Sequence, residues 1–522
     1  MSKRKKYIAS KIPVTAEKVL EISHEEEDIA SLYRMLNPTV VYDSLSIAAY
    51  VNDQDILSKD ELLAVLSALD LSSYDTIILS HLFEFTVEIQ KLIRGLLTLI
   101  KAETTLLFEF LIEPKAGASK KPLMRLSTDV RFRHFVNIDG MKKFLEKQGV
   151  HLYRQKTIQA NSALSQKFEN CILVAQKQPS RPLIHAHQMV YAKSMMTARY
   201  KPWVDAINSI PNISAQNHIK PTVIPRTSVE NKLMIIQRQL APDRERYTRM
   251  MQRIYANNWM TIAEWDDHPG LLPEGIVEMW HANPWHPMTS QHAVQVSTQR
   301  LKDVISEHHP YVYLMPNALH QRQHYAEKPL DKLHIVVAAL HRDNANSLII
   351  PALEAAMAHE HVHLHVVNNA GLHKALKRYE EKITLYNYLS YQEYKDLLRR
   401  CHICLSPLEG TPTEQCKTDL KFQECSNAST VFIGSPCIYQ ETVNHGTDGF
   451  IARSQEEWTQ LLMALLNSPE QLHAVSKSAW DAIGHRLQSA LIKDRVAVYY
   501  ELFERREEMT RKLHERHPEL KI

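Results

Sequence analysis

The feature that most constrains this chain is a repeated alternation of short, almost wholly apolar runs of strand length with segments of helical periodicity. From about residue 18 to 176 the apolar runs are KVLEIS, TVVYDSLS, YDTIILSHLFEF and TTLLFEFLIE, with helices expected through DIASLYRML and EIQKLIRGLLTLI. The block closes with MKKFLEKQGVHLYRQKTIQ and ENCILVAQK, and QKQPSRPL reads as a linker. Runs without a polar face must be covered on both sides, which calls for a largely parallel sheet between layers of helices. A second block, from about 182 to 325, carries KLMIIQRQL, RERYTRMMQRIYANN, WMTIAEWDDHPG, AVQVSTQRLKDVI and YVYLMPNAL. A third opens at LHIVVAAL and alternates in the same way through HVHLHVVNN, ITLYNYL, HICLSPLEG and TVFIGSP to a run of C-terminal helices. The expected fold class is α/β, with three Rossmann-like domains at 1–178, 179–325 and 326–522 and a ligand cleft between the last two.

Charge narrows the partners. The 62 basic and 59 acidic residues are interspersed and leave a net charge of +3, which is no footprint for nucleic acid. No segment reaches the roughly 18 apolar residues of a membrane span. The opening MSKRKKYIASKIPVTAEK is basic but lacks the apolar run of a secretory signal. Six cysteines in so long a chain suggest free thiols in a reducing compartment, so a cytoplasmic protein is expected. Only 12 glycines are present, so other residues should stand where this fold class uses glycine loops. The oligomeric state stays open.

The densest motif is 401-CHICLSPLEGTPTEQCKTDLKFQECSNASTVFIGSPCIYQETVNHGTDGFIA-452. It resembles the donor half of the GT-B fold glycosyltransferases of group 1, the retaining type. IIQRQL, AEWDDHP, QVSTQRL and LMPNAL, in that order upstream, resemble the acceptor half of the same enzymes. The resemblance implies an enzyme that needs no cofactor and takes a UDP- or GDP-sugar as substrate. The sugar would pass to a hydroxyl of a glycan or protein acceptor. Such chemistry must stabilise a departing diphosphate, a task for fixed cations and a helix N-terminus. In 416-CKTDLKFQE-424, Lys417 and Lys421 supply the cations and Thr418 is a candidate cap. Lys421 and Glu424 are three apart and share a helical face. By resemblance Glu424 binds the ribose and Lys421 the phosphates, with Arg342, Asp419, Tyr439 and Glu441 completing the donor set. Two positions depart from the family pattern: Ser347 stands for a lysine and Cys416 for a glutamate. A plain surface ion pair for Lys421 and Glu424, and a solvated helix-start arginine for Arg342, are the competing readings.

In the second block Asp266, Asp267 and His268 follow the strand WMTIAEW, at the strand end where parallel sheets bind ligands. They are the candidate catalytic residues, orienting an acceptor hydroxyl, taking its proton or positioning the donor sugar. A self-capped turn is the alternative. Arg238, ending MIIQR, is a weaker candidate. His361, His363 and His365 alternate in HVHLHVV, but a packed stripe in an interior strand is favoured over a metal site, and no metal is assigned. Cys401 and Cys404 form a C-x-x-C with no second pair at zinc spacing, so they are expected as small buried residues.

The first block resembles a class I S-adenosylmethionine-dependent methyltransferase, with YDTIILSHLFEF and TTLLFEFLIE as its fourth and fifth strands. KVLEISHEEED then falls on the cofactor loop, where the family carries three glycines because the backbone must approach the ligand closely. Ser23, Glu25 and Glu27 occupy those positions. Carboxylates there would repel the cofactor's own carboxylate by a few kcal/mol at ~4 Å and a dielectric near 20, so a degenerate, non-binding loop is expected. Asp43 falls near the family's ribose-binding acid. A bifunctional methyltransferase and glycosyltransferase, a non-catalytic scaffold or glycan-binding protein, and a glycosyltransferase acting on modified DNA are the alternatives.

Overall fold

The computed structural model describes residues 2–24, 29–51, 57–86, 88–112, 123–125, 132–134, 136–159, 169–177, 181–190, 200–219, 224, 229–272, 274–338 and 343–521. The chain divides into two compact units, Met1–His185 with Val204–Ala215, and Ala186–Trp203 with Gln216–Ile522.

The first unit holds a six-stranded sheet built from β1 (Lys18–Ser23), β2 (Val41–Ser46), β3 (Thr76–Ser80), β4 (Thr105–Ile112), β7 (His151–Gln159) and β8 (Glu169–Gln176). A separate two-stranded ribbon joins β5 (Leu123–Arg125) to β6 (Phe132–His134). The sheet order is β2-β1-β3-β4-β8-β7, with the first four strands parallel and β8 antiparallel to both of its neighbours. All five residues of β3 are buried, as its unbroken apolar run requires. The helix Lys3–Ala9 packs Ile8 and Ala9 against Val19, Ile78 and Leu107 of the sheet. From that helix Arg4 NH1 donates to Glu109 Oε2 at 2.7 Å and to Ser80 Oγ at 3.1 Å.

The second unit is organised by two sheets. One comprises β9 (Ile184–Val190), β10 (Ile213–Ile219), β11 (Asn231–Gln237), β12 (Trp259–Trp265), β13 (Ala293–Val296) and β14 (Val312–Leu314), in the order β10-β9-β11-β12-β13-β14, and is parallel from β11 to β14. The first residues of β9 and β10 belong to the first unit. The other comprises β15 (Leu333–Ala338), β16 (Val362–Val367), β17 (Ile383–Tyr386), β18 (Ile403–Ser406), β19 (Val431–Gly434) and β20 (Phe450–Ile451). Its order, β17-β16-β15-β18-β19-β20, is that of the doubly wound dinucleotide fold, with parallel pairing throughout. The strand order reverses between β15 and β18, so the loop leaving β18 borders the crevice in which such sheets bind ligands.

The chain passes twice between these sheets, once after β14 and again near residue 487. The two passages touch: Leu319 N donates to Arg486 O and Gln488 N to Leu319 O, each at 2.9 Å. The long helix Gln488–Glu504 then returns to the first sheet, where Tyr313 donates to Glu501 at 3.1 Å. Among the described residues no helix is long and apolar enough to cross a membrane. All six cysteines are free thiols, and five of them are buried.

Lys328, 9% exposed, anchors the second of these sheets from below. Its ammonium donates to Cys401 O at 2.5 Å, Ser429 O at 2.6 Å, Thr430 Oγ1 at 2.9 Å and Leu398 O at 3.4 Å. It thereby adds a donor to carbonyls at the C-terminal end of the helix Tyr391–Arg400, where the intrahelical ladder runs out. Burial pushes the lysine pKa down to about 7. The unfolded chain keeps its proton up to about 10.4. Between these values the unfolded state holds more protons, so the lysine makes stability rise with pH across that window and contributes no slope below it. Lys328→Met is expected to cost about 2–4 kcal/mol in urea denaturation and to remove this rise between neutral pH and pH ~10. A variant as stable as wild type, with the same pH slope, would contradict this role.

Candidate functional site

Three neighbouring strands of the first sheet of the second unit deliver side chains to one place. Arg238 follows β11, Asp266 and Asp267 follow β12, and Ser297 follows β13. Arg238 sits at φ 43°, in the left-handed region, where its N–H still donates to Glu264 O at 2.9 Å. A non-glycine residue is held there only where the surroundings over-determine it. Here the guanidinium forks across both acids, with Nε to Asp266 Oδ1 at 2.5 Å, NH2 to Asp266 Oδ2 at 2.8 Å and NH2 to Asp267 Oδ2 at 2.6 Å. Asp266 is buried, its side chain 3% exposed, while Asp267 at 27% reaches solvent. The backbone of Asp266 is fixed by Ser297 Oγ, which donates to its carbonyl at 2.7 Å. His268 turns away to cap the short turn Pro269–Leu271, its Nδ1 accepting from Gly270 N at 3.1 Å, and burial lowers its pKa.

The loop after β18 reaches this cluster from the other sheet. Gly410 adopts φ 83°, and Glu414 Oε2 accepts from the N–H groups of Gly410 at 2.9 Å and Thr411 at 3.3 Å, so the loop closes on itself. Cys416 is 1% exposed and packs with Ala263, Trp265, Trp280, Met288 and Val294 of the opposite half. Its carbonyl accepts from Thr298 Oγ1 at 3.0 Å. A Cβ on Gly270 would lie 3.2 Å from Thr413 Cγ2, so the missing side chain makes room for this loop. Lys417 Nζ consequently lies 3.9 Å from Asp267 Oδ1, and Asn317 Nδ2 donates to Thr418 Oγ1 at 3.0 Å.

The structure thus brings Asp266, Asp267, Arg238 and Lys417 together. Asp419 faces elsewhere: its carboxylate takes Arg486 NH2 at 2.6 and 2.8 Å and Gln423 Nε2 at 2.7 Å. The helix begins at Leu420, so the N-cap position falls on Asp419, not Thr418, and that side chain makes no capping bond. Lys421 and Glu424 do share a face, but it is turned toward the helix Tyr391–Arg400. Lys421 Nζ donates to Tyr394 Oη at 2.9 Å and lies 4.5 Å from that ring's centre. Burial raises the pKa of Glu424, opposed by the charge of Lys421 and by hydrogen bonds from Tyr391 and Tyr394. They are therefore not an exposed surface pair. Tyr439 is buried against Phe432, with its hydroxyl 2.9 Å from Ser406 Oγ, and Glu441 is exposed. Arg342, Glu25 and Glu27 lie outside the described residues. Tyr391, Tyr394 and Arg486 carry no signal in the sequence, because nothing in a helical pattern marks which helix will face which.

The histidine stripe is occupied by protein partners. His363 Nε2 lies 2.8 Å from Thr384 Oγ1, and His365 bridges His334 Nδ1 at 2.9 Å and Tyr386 Oη at 3.2 Å, whereas His361 is exposed and precedes β16. In the first unit Ser23, Ser46 and Ser80 end three adjacent strands in register. Above them the His24 ring stacks on Phe85, with centroids 4.3 Å apart. Asp43 is mid-strand in β2 rather than at its end, and accepts from the Tyr74 hydroxyl at 2.7 Å.

No family model matches the chain. No curated protein matches it either. Among solved structures it is similar to an S. aureus TarM mutant complexed with fondaparinux, α-GlcNAc-glycerol and UDP, at 10% identity and TM-score 0.41, covering 52% of this chain and 55% of that one. It is also similar to sucrose-phosphate synthase from Thermosynechococcus elongatus, at 10% identity and TM-score 0.46, covering 62% of this chain and 99% of that one. A third is Anabaena HepE in complex with UDP and glucose, at 9% identity and TM-score 0.43, covering 61% and 99%. At these scores the similarities carry no argument about what the chain does.

Removing the guanidinium of Arg238 strands the buried carboxylate of Asp266. Arg238→Ala is expected to cost about 3–5 kcal/mol in chemical denaturation, with Arg238→Lys recovering part of it. Equal stability of wild type and Arg238→Ala would mean that the fork does not hold Asp266 in place.

Proposed function

We propose that the second unit is a GT-B glycosyltransferase that transfers a sugar from a UDP- or GDP-sugar to a hydroxyl of a glycan or protein. The observation that carries this reading is the meeting of Lys417, from a switch-point loop of a doubly wound sheet, with Asp267, from a strand end of the neighbouring parallel sheet. In this scheme Asp267, the more exposed acid, orients the acceptor hydroxyl and takes its proton, while Arg238 and Asp266 hold it in position. The acceptor oxygen bonds to the anomeric carbon as the carbon–oxygen bond to the diphosphate breaks, and the nucleoside diphosphate leaves. Lys417 and the start of the helix Leu420–Asn427 face the developing phosphate charge, with Lys421 and Arg342 assigned there by sequence, and Glu424 takes the ribose. Tyr439 and Glu441 are assigned to the donor side by sequence alone, and Asp419, assigned there too, is held by Arg486 and acts only by fixing the start of the helix. His268 shapes the acceptor turn. The divisions 1–178, 179–325 and 326–522 belong to the same reading, as does a cytoplasmic location.

The first unit, in this reading, is a methyltransferase-like domain that binds no cofactor. Its support is the sheet order with a terminal antiparallel pair, together with a switch point between β1 and β3 over which His24 stacks on Phe85. Calorimetry with S-adenosylmethionine is expected to give no binding. Binding that disappears in Asp43→Ala would instead establish a bifunctional enzyme.

One observation favours a second reading, a non-catalytic sugar-nucleotide or glycan-binding protein: Cys416, which stands where the resemblance expects a hexose-binding glutamate, is buried and cannot reach a sugar. Nucleotide release separates the two. The enzyme is expected to release UDP or GDP from a panel of sugar nucleotides, with turnover falling about 10²–10³-fold in Lys417→Ala. If wild-type protein binds a sugar nucleotide but releases nothing with any acceptor, the scaffold reading replaces it. If no common sugar nucleotide binds, and Glu424→Gln behaves as wild type, the enzyme reading fails and only a glycan-binding protein is left.

A further inference from the structure

The C-terminal turn packs onto the first sheet of the second unit through a cluster that the proposed transfer does not use. His286 opens the short helix His286–Thr289, directly after Trp285, which itself sits at φ 62°. His517 and Glu519 lie just beyond the helix Arg506–Arg516. One ligating atom from each of His286, His517 and Glu519 lies within 4.8 Å of the others. The imidazoles of His286 and His517 meet edge to face, with centroids 5.0 Å apart. His517 Nδ1 is 3.2 Å from Glu519 Oε1, and its Nε2 is 3.0 Å from Thr289 Oγ1.

The decisive atom is His286 Nε2. His286 is 7% exposed, and this nitrogen is buried with no hydrogen-bond partner. Buried polar atoms are paired in native proteins because desolvating an unpaired one costs free energy. An imidazole with an orphan nitrogen, set beside a second imidazole and a carboxylate, is a donor set lacking its acceptor. Two imidazoles and one carboxylate suit Zn²⁺, which takes three such protein ligands and a water in its fourth position. Glu519, with 36% of its side chain exposed, leaves a solvent-facing side for that water.

We propose that His286, His517 and Glu519 bind a zinc ion that staples the C-terminal turn to the first sheet of the second unit. Two cations bear on the site. Arg244 NH2 touches Glu519 Oε1 at 3.4 Å, but its side chain is 59% exposed and is displaced into solvent when the metal takes that oxygen. Arg516 is committed by its NH2 to Gln291 O at 3.1 Å and to His309 Nε2 at 3.2 Å. The zinc lies apart from the proposed transfer site, since neither Asp267 nor Lys417 is among its ligands. It closes a loop of more than 200 residues between His286 and His517, the kind of long-range crosslink that restricts the unfolded chain most.

The test uses full-length protein purified without chelator, incubated with ZnCl₂, desalted and analysed for metal by mass spectrometry. Wild type and the remote control His361→Ala are expected to hold about one zinc per chain. His286→Ala and Glu519→Gln are expected to lose it by tenfold or more. Wild type that retains no zinc overturns the proposal, as do variants that retain as much as wild type. Cobalt substitution of the wild type gives an answer even if a variant fails to fold. Intense visible bands of four-coordinate cobalt support the site, and a pale six-coordinate spectrum overturns it.

Discussion

The architecture of the candidate site depends on the burial of one small thiol. Cys416 belongs by sequence to the half built on β15–β20, yet its side chain lies in the apolar core of the half built on β11–β14. A buried side chain of this size forfeits its transfer free energy if the loop withdraws, so the loop's position is set by the hydrophobic effect rather than by charge. The polar contacts then follow from adjacency. Thr298 caps its own helix, accepting from Leu301 N at 3.2 Å, while donating to the Cys416 carbonyl. Lys417 lands beside Asp267, Thr418 meets Asn317, and Asp419 turns back to Arg486. Four consecutive residues thus point to four different neighbours, and only one of them faces the carboxylates.

Electrostatics divide the two acids in the same spirit. The fork of Arg238 neutralises Asp266 in a buried place, where an unpaired charge is costly, and leaves Asp267 shared between two cations at the edge of solvent. The arrangement gives one carboxylate a holding role and the other access to a ligand. Its cost is the left-handed backbone of Arg238, accepted because β11 and β12 are adjacent and parallel and end side by side.

Much of this was legible in the sequence. The unbroken apolar runs announce parallel, doubly covered strands, and the strands of the third block fall where LHIVVAAL, HVHLHVV and TVFIG place them. The acids after WMTIAEW are at a strand end as the pattern implies. β9 and β10 were harder to see, because IHAHQMV and ISAQNHI carry polar residues at positions that the fold pairs internally, such as His187 Nδ1 with His218 Nε2 at 2.7 Å. The partners of Lys421 and Glu424 were hidden for a different reason. Helical spacing shows that two residues share a face, but which helix that face meets is decided by tertiary packing. A short helix such as His286–Thr289 leaves no periodic trace at all.

The backbone ladder at Leu319 and Leu487 has a mechanical meaning. The chain crosses from one sheet of the second unit to the other and later returns, and both crossings are hydrogen-bonded to each other at this point. Two strands of chain pinned together act as a single pivot. Rotation on either side of this point would leave the ladder intact, whereas sliding one sheet past the other would tear it. An opening between Lys417 and Asp267 that kept this ladder intact would be a rotation about the pair of leucines.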